Sequence, residues 1–214
     1  MSPPTGTLPR HPDGAAAPDP RTGELPGAGR EASRADDLIV LLDEAGRPRG
    51  SADREVIHTG QTPYHLAFSC YLFDENGRLL LTRRSLTKRS WPGTWTNSCC
   101  GHPRPGEEPA DAVARRVSAE LGGAVEDLEL VLADFSYRAV DPSGIVEHEL
   151  CPVWVGRLAS PELSPDPAEV METCWVEWPA VVRLVTDSPQ LVSPWAALQV
   201  PQLAAALSGR DGAP

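Results

Sequence analysis

The chain has 214 residues, which is long enough for one domain with a hydrophobic core. Its 30 acidic and 19 basic side chains give a formal net charge of −11, which argues against nucleic acid or an anionic membrane surface as a general partner but leaves room for a small anionic substrate. The chain has five cysteines, an odd number, and shows no secretory apolar segment, so we expect a cytoplasmic, reducing compartment. No apolar run approaches the ~20 residues that span a bilayer, so we expect no membrane span.

The N-terminal residues 1–36 are rich in Pro, Gly, Ala and Arg and contain almost no large apolar side chain. Such a segment cannot bury enough apolar surface to offset its conformational entropy. We therefore predict a disordered extension over 1–36, one folded domain over 37–208 and a flexible tail over 209–214.

Hydrophobic patterns within 37–208 predict both strands and helices. Strands are predicted over 37–43, 66–73, 78–83, 128–138, 145–158 and 170–176. Helices are predicted over 110–121, 178–186 and 194–207. Because strands outnumber helices and several are joined by tight hairpins, we expect an α+β fold, with a mixed sheet covered by helices in a single domain.

The segment Thr96–Glu107 combines a thiol, an imidazole and a carboxylate with prolines and glycines. This composition disfavours a regular helix or a central strand, so we expect a loop that carries Cys100 and His102 to the N-terminus of the next helix. Free N–H groups at that end favour thiolates, metal-bound anions and phosphates. By residue type alone, Cys100 fits a nucleophile, an acid–base group or a buried apolar thiol.

Histidines and glutamates form a second group of candidate residues. His58 and His65 flank a short loop, while Glu147 and Glu149 alternate along a predicted strand and therefore share one face. Two carboxylates on one face of an apolar strand are costly to bury unless a positive charge lies between them. Together with His102 they suit Zn²⁺, Mn²⁺ or Fe²⁺, although a solvated strand face and ordinary surface or core histidines are also compatible with the pattern.

The stretch that begins at residue 101 matches part of a known pattern, the Nudix box. The matching residues are Gly101, Glu107, Arg115, Val117 and Glu120. Arg116 and Ala119 stand where the hydrolases with this pattern carry metal-binding glutamates. Because those glutamates collect the Mg²⁺ that activates water on a diphosphate, the pattern favours the fold and disfavours hydrolysis. Arg116 would still offer a positive charge to a bound diphosphate.

Several dispersed segments share their residues and their order with one enzyme family. They are His58-Thr59, Tyr64–Ser69, Thr82–Arg84 with Lys88, Trp91–Ser98, Cys100–Pro103, Tyr137–Ala139, Asp141–Gly144, Glu147–Pro152 and Ser193–Trp195. These segments resemble the type I isopentenyl-diphosphate Δ-isomerases, which have a Nudix-type fold, and the resemblance covers roughly 38–207. It implies isomerisation of isopentenyl diphosphate to dimethylallyl diphosphate through a carbocation-like intermediate, in isoprenoid biosynthesis.

The resemblance also implies a role for each matching residue. The proton-transfer residues would be Cys100 and Glu149, with Tyr137 beside the glutamate and Trp195 beside the carbocation. The metal ligands would be His58, His65, His102, Glu147 and Glu149. The diphosphate contacts would be Arg54, Arg84, Lys88 and Arg116, with Glu120 as the ligand of a Mg²⁺ that bridges to the diphosphate. The implied cofactors are this Mg²⁺ and one Mn²⁺, Zn²⁺ or Fe²⁺, and a monomer is expected.

Two other functions stay open at this point. A Nudix hydrolase of nucleoside diphosphate compounds would release phosphate from nucleotides. A non-catalytic protein with a structural metal would unfold when the metal is chelated. The isomerase instead requires that loss of Cys100 or Glu149 abolish the exchange between the two diphosphates in a folded protein.

Overall fold

The computed structural model describes residues 38–160 and 162–209. The disordered extension predicted over 1–36 lies outside the described residues, and so do residues 210–214 of the predicted tail. The strands are β1 (Leu38–Leu42), β2 (Pro48–Asp53), β3 (His65–Leu66), β4 (Phe68–Phe73), β5 (Arg78–Arg84), β6 (Trp95–Thr96), β7 (Cys99–Gly101), β8 (Val125–Leu132), β9 (Ser136–Val140), β10 (Val146–Leu150), β11 (Val153–Leu158) and β12 (Val170–Glu177). The helices are α1 (Arg54–Ile57), α2 (Pro109–Leu121), α3 (Trp178–Asp187) and α4 (Pro194–Ser208), with a 3-10 turn (Pro189–Leu191) before α4.

The strands form two sheets. The first has the order β2-β1-β3-β10-β9, and the second has the order β12-β5-β4-β11-β8, with β6 beside β5 and β7 beside β4. The pairs β3 with β10 and β4 with β11 are parallel, whereas the other strand pairs are antiparallel. Mixed sheets with helices against them confirm the predicted α+β class.

The two parallel pairs belong to one continuous pairing that passes from the first sheet into the second. His65 lies opposite Glu149 in the first sheet, and β4 lies beside β11 in the second. Between them the Ala67 amide donates to the Leu150 carbonyl at 2.8 Å, which keeps the two segments side by side. The strand predicted over 145–158 is therefore two strands, separated at Cys151-Pro152, where proline has no N–H to donate. The strand predicted over 128–138 is likewise divided between the two sheets, as β8 and β9.

Strand β4 is buried on both faces. On one face Phe68, Cys70 and Leu72 pack into the cluster that contains Val113 and Val117 of α2. The alternate residues Tyr71 and Phe73 join the cluster that contains α3 and α4. Full burial of each Phe or Leu side chain stabilises the fold by about 1.5–3 kcal/mol, and burial on both faces explains why β4 reads as an almost continuous apolar run.

The segment predicted as a loop over 96–107 begins differently. Cys99–Gly101 forms β7, antiparallel to β4, with Cys100 opposite Ser69. The prolines of this segment come only after residue 101, so nothing in the backbone prevents the short strand. A Cβ at Gly101 would lie 2.8 Å from Cγ of Arg116, so only glycine allows α2 to pack this closely on β7.

The loop between β7 and α2 is held by Glu107. Its carboxylate accepts hydrogen bonds from Arg115 Nε at 2.7 Å, from Arg115 Nη2 at 2.8 Å and from the Arg104 amide at 2.8 Å. Arg115 Nη2 also donates to the His102 carbonyl at 3.3 Å. The contact with the Arg115 guanidinium and the other hydrogen bonds outweigh partial burial and lower the pKa of Glu107. This cluster fixes the position of His102 relative to α2.

We expect Glu107→Gln to lower the free energy of unfolding by about 1–3 kcal/mol, because it removes a bidentate, charge-assisted contact. Since the folded-state pKa of Glu107 is lowered, this stabilisation is present above the ordinary glutamate pKa of about 4.3 and is lost as the pH falls through the folded value. Urea unfolding across that range checks both statements. Glu108→Gln removes the same charge from the neighbouring exposed position, and an equal loss in that variant would contradict the prediction.

Candidate active site

A cavity of about 320 Å³ is lined by both sheets, by α2 and by the start of α4. The predicted site residues that line it are Arg54, His58, Arg84, Lys88, Cys100, His102, Arg116, Glu120, Tyr137, Glu147, Glu149 and Trp195. His65 is fully buried and pairs with Glu149 across β3 and β10. The fold therefore brings residues from eight of the nine resembling segments to one place.

Three histidines and one glutamate converge at one end of this cavity. His58, His65, His102 and Glu149 each offer a ligand atom, and these atoms lie within 4.8 Å of one another. Nε2 of His65 and Nε2 of His102 each lie 3.4 Å from Oε1 of Glu149. Glu147 lies beside this group, with Oε2 at 3.4 Å from Nε2 of His58 and with Oε1 accepting a 2.7 Å hydrogen bond from Ser90.

Backbone carbonyls orient two of these imidazole rings. Nδ1 of His58 lies 2.9 Å from the Arg54 carbonyl, and Nδ1 of His65 lies 2.9 Å from the Pro63 carbonyl. A carbonyl can only accept, so each Nδ1 carries a proton, and in the neutral ring Nε2 is then the atom that can bind a metal. This is the arrangement that metal-binding histidines adopt.

Several inward-facing atoms of the cluster are buried without a hydrogen bond. Among residues 38–160 and 162–209, these include Nε2 of His65, Nε2 of His102 and Oε2 of Glu147. An unsatisfied buried polar atom costs about 1–3 kcal/mol, so a set of them directed at one point fits a bound cation. Imidazole nitrogens combined with carboxylate oxygens suit Zn²⁺, Mn²⁺ or Fe²⁺.

The ionisation states of the cluster depend on one another. Burial lowers the pKa of His102 to about 4, so this ring is neutral at physiological pH and can act as a metal ligand. Burial disfavours the charged form of Glu149, but the contacts with His102 and His65 outweigh it and hold the pKa of this carboxyl well below its usual range. Burial also opposes a charge on His58, yet the adjacent Glu147 raises the pKa of that ring.

The thiol of Cys100 has two neutral hydrogen-bonding partners. Its Sγ donates to Oδ1 of Asn97 at 3.2 Å and lies 3.5 Å from Oγ of Ser69. Burial raises the pKa of Cys100 to about 11, so the sulfur holds its proton in the free protein. The neighbouring Cys99 packs instead against α2, with its Sγ 3.5 Å from Glu120.

Asn97 connects the thiol with an aromatic ring. Its Oδ1 also accepts a hydrogen bond from Nε1 of Trp195 at 2.9 Å. Its Nδ2 donates to the backbone carbonyls of Cys70 at 3.1 Å and Cys99 at 2.8 Å, so the oxygen end must face the thiol and the indole. This buried amide thereby fixes Cys100 and Trp195 relative to each other.

Ser69 provides a second contact behind the thiol. Nε2 of Gln199 donates to Oγ of Ser69 at 3.0 Å, and the hydroxyl of Tyr71 donates to Oε1 of Gln199 at 2.9 Å. Because Ser69 already accepts from Gln199, its own proton is directed at the sulfur of Cys100 or of Cys151, which lie 3.5 and 3.4 Å away. The site is thus continuous with a buried polar network that reaches α4.

Aromatic rings form one wall of the cavity. The centroid of the Trp195 ring lies 5.5 Å from that of Trp91 and 5.9 Å from that of Tyr137. Tyr137 lies opposite Glu149 in the pairing of β9 with β10, and burial raises the pKa of its hydroxyl well above the usual range. The guanidinium carbon of Arg84 is 5.5 Å from the Trp195 ring, which shows that this ring accommodates a cation.

Cationic side chains gather at another part of the same cavity. Lys88 forms an ion pair with Glu169, while Arg116 pairs with Glu120 and lies 3.2 Å from Glu169. Arg84 donates to the Ser90 carbonyl at 2.9 Å. Lys88 and Arg116 can bind an incoming anion only if they exchange their present carboxylate partners for it.

Ser69, Asn97 and Glu169 are among the residues of the site that were not predicted from the sequence. Ser69 and Asn97 lie inside segments that carry the family resemblance, so their place in those segments was an available signal. Glu169 lies in no recognised motif, and its contact with Arg116, 53 positions earlier, becomes visible only in the folded chain.

Comparison with known proteins identifies related sequences and related folds. Residues 63–196 match the NUDIX domain family. A protein named isopentenyl-diphosphate Delta-isomerase from Paenarthrobacter aurescens is 52% identical over 169 residues, which cover 79% of this chain and 91% of that protein. Proteins of the same name from Mycolicibacterium vanbaalenii and Frankia alni are each 54% identical, covering 82% and 77% of this chain and 96% and 84% of their own lengths.

Solved structures support the fold alone. A protein from Deinococcus radiodurans superimposes with a TM-score of 0.59 at 16% identity, covering 77% of this chain and 98% of its own. A MutT NUDIX hydrolase from Burkholderia pseudomallei gives 0.50 at 22% identity, covering 65% and 98%. Within the described residues, no helix has the length and apolar character needed to cross a membrane.

We expect His102→Ala to weaken the binding of Zn²⁺ and Mn²⁺ by roughly 100-fold or more, because even residues that only support metal ligands contribute 10–100-fold. Competition with a fluorescent chelator measures the change. His148→Ala is the matched control: His148 lies between Glu147 and Glu149 in β10, but its ring packs on Tyr64 with centroids 4.8 Å apart. Equal weakening in the two variants would show that the cluster is not the metal site.

Proposed function

This chain belongs to the Nudix family and, within it, to the isopentenyl-diphosphate Delta-isomerases, and from this premise we propose that Cys100 and Glu149 carry out the two proton transfers. The protein is an enzyme that isomerises isopentenyl diphosphate to dimethylallyl diphosphate in isoprenoid biosynthesis. The observation that carries the assignment is that one cavity contains a thiol, a buried carboxylate, an indole ring and a group of cations.

The reaction moves a carbon–carbon double bond by one position. A proton adds to the terminal alkene carbon, a tertiary cation-like centre forms next to it, and the carbon beyond loses a proton to form the new double bond. An unactivated alkene is a poor base, so the step needs a positioned acid and a positioned base. Glu120 contacts Arg116, and Glu169 contacts Lys88 and Arg116, so neither of these carboxylates is free to act as a base, and the assignment of the two proton transfers to Cys100 and Glu149 follows the family resemblance.

Trp195 is the proposed stabiliser of the cationic centre, with Tyr137 beside Glu149. The indole ring of Trp195 lines the cavity, and Oδ1 of Asn97 accepts hydrogen bonds from both the indole N–H and the thiol of Cys100. The negative face of an indole attracts a cation where an aliphatic wall offers no such attraction. Fixing the ring and the thiol through one amide keeps the acid–base group at a constant position relative to the stabilising ring.

The diphosphate is proposed to bind Arg54, Arg84, Lys88 and Arg116. All four side chains line the cavity, and guanidinium groups bind phosphate oxygens in bidentate fashion. Glu120, which lines the same part of the cavity, is the proposed ligand of the Mg²⁺ that accompanies the diphosphate. This local cation group explains how a chain of net charge −11 would bind an anion.

A Mn²⁺, Zn²⁺ or Fe²⁺ ion is proposed at His58, His65, His102, Glu147 and Glu149. When bound, it would withdraw electron density from the Glu149 carboxylate and so tune its basicity. The protein's own contribution is orientation: His65 and His102 approach Oε1 of Glu149, which leaves Oε2 for the proton. Hydrolysis of nucleotides is not supported, because Arg116 and Ala119 replace the carboxylates that a Nudix hydrolase needs.

We further propose a cytoplasmic monomer that binds neither nucleic acid nor membranes. All five cysteines are free, which suits a reducing compartment. The acidic net charge disfavours polyanionic partners.

We expect Cys100→Ala and Glu149→Gln each to reduce isomerisation by roughly 100- to 10,000-fold, the range typical of lost general acid–base catalysis. Proton NMR with isopentenyl diphosphate and Mg²⁺ in D₂O follows the dimethylallyl methyl signals and the incorporation of deuterium. Cys174→Ala, at an exposed position of β12, serves as the control and should behave as the wild type. Phosphate release without isomerisation in the wild type would indicate that the protein is a Nudix hydrolase instead.

Asn97→Ala should lower kcat by roughly 10- to 100-fold with little change in KM, because it frees the thiol and the indole without touching the diphosphate contacts. Steady-state kinetics with both constants tests the statement, and thermal unfolding shows whether the variant is folded. Asn76→Ala, in an exposed hairpin turn, is the control. A rise in KM at constant kcat would assign Asn97 to substrate binding instead.

A further inference from the structure

A carboxylate lies between two of the cations proposed to hold the diphosphate. One oxygen of Glu169 contacts Nζ of Lys88, and the other lies 3.2 Å from Nη2 of Arg116. The same Arg116 nitrogen also contacts Glu120. Glu169 lines the cavity with them, and its side chain is 19% exposed.

The backbone holds Glu169 in this position. Its amide donates to the Asp166 carbonyl at 2.9 Å, and its carbonyl accepts from the Ser85 amide at 2.9 Å. The Asp166 amide in turn donates to the Glu120 carbonyl at 2.9 Å, which ties the turn to the last residues of α2. The Glu169 carboxylate is therefore held in place by backbone hydrogen bonds, between α2 and the end of β5.

The four side chains balance in charge. Lys88 and Arg116 supply two positive charges, and Glu120 and Glu169 supply two negative ones. Burial disfavours ionisation of Glu169, but Lys88 and Arg116 outweigh it and lower the pKa of this carboxyl, so it is charged at neutral pH. An anion that takes Lys88 and Arg116 for itself must first displace Glu169.

We propose that Glu169 is a specificity-determining residue: as an internal counter-ion of Lys88 and Arg116, it makes diphosphate binding depend on a divalent cation. The inference rests on the proposed function, because it assumes that these two cations receive the diphosphate. Once they do, Glu120 and Glu169 are two carboxylates without their partners beside a new anion. Glu120 and Glu169 contact the same Arg116 nitrogen, so their negative charges lie close enough to repel each other. A divalent cation that arrives with the anion offsets both carboxylates.

A bare anion gains no such compensation. It must compete with Glu169 for both cations, and the displaced carboxylate remains in a partly buried site because its backbone is anchored. Mg²⁺ and the diphosphate therefore favour each other's binding, and Glu169 supplies part of that coupling. Removing the charge of Glu169 should help the bare anion more than the anion bound with Mg²⁺.

Calorimetric titration of the metal-loaded full chain with pyrophosphate, in buffer with and without Mg²⁺, tests the inference. In the wild type we expect Mg²⁺ to tighten pyrophosphate binding by about tenfold or more. In Glu169→Gln we expect the affinity without Mg²⁺ to rise about tenfold and the enhancement by Mg²⁺ to shrink by about the same factor. Glu169→Ala, which leaves no amide to hydrogen-bond, should change in the same direction.

Glu172→Gln is the matched control for charge. Glu172 lies three positions further along the chain and pairs with Arg83 at 2.6 Å, and its side chain is 51% exposed. This variant should keep the wild-type affinities. If Glu169→Gln weakened pyrophosphate binding equally with and without Mg²⁺, the residue would only hold the cations in place. Unchanged affinities would show that Glu169 has no part in anion binding. A wild type that binds no pyrophosphate in either buffer would overturn the diphosphate site itself, and with it the proposed function.

Discussion

The site depends on one constraint, the parallel pairing of two chain segments that continues from one sheet into the other. In the first sheet this pairing sets His65 beside Glu149, and in the second it sets β4 beside β11. Strand β7 then adds to β4 and places Cys100 opposite Ser69. Because strand pairing fixes register residue by residue, the His65–Glu149 pair and the thiol of Cys100 are held at a set separation by backbone hydrogen bonds.

Two parts of the cavity use different electrostatics. Around Cys100 the partners are neutral: Asn97 accepts the thiol proton, and Ser69 directs a hydroxyl towards the sulfur. In the part of the cavity lined by α2, Lys88 and Arg116 are balanced by carboxylates before any anion enters. A neutral environment keeps a proton on the sulfur, whereas a balanced ionic one can exchange its partners, so each suits the chemistry proposed for it.

Sequence periodicity predicted much of the fold, and its errors have physical causes. The helix predicted over 110–121 corresponds to Pro109–Leu121, because an amphipathic helix on a core shows its spacing directly. The pattern over 145–158 hid the break at Cys151-Pro152, since residues typical of extended strands lie on both sides of it. Strand Cys99–Gly101 is too short to show alternation, and only its pairing with β4 makes it a strand.

The sequence by itself determined the chemical inventory of the protein and its family, because spaced motifs such as Cys100–Pro103 and Glu147–Pro152 are properties of residue order. It also determined that Glu147 and Glu149 share a face, since alternation along a strand is local geometry. Only the tertiary structure decided that Asn97 joins Cys100 to Trp195 and that Glu169 lies between Lys88 and Arg116. The contact of Asn97 with Trp195 and the contacts of Glu169 with Lys88 and Arg116 join residues far apart in the chain, and they follow from how sheets and helices pack, which no local pattern encodes.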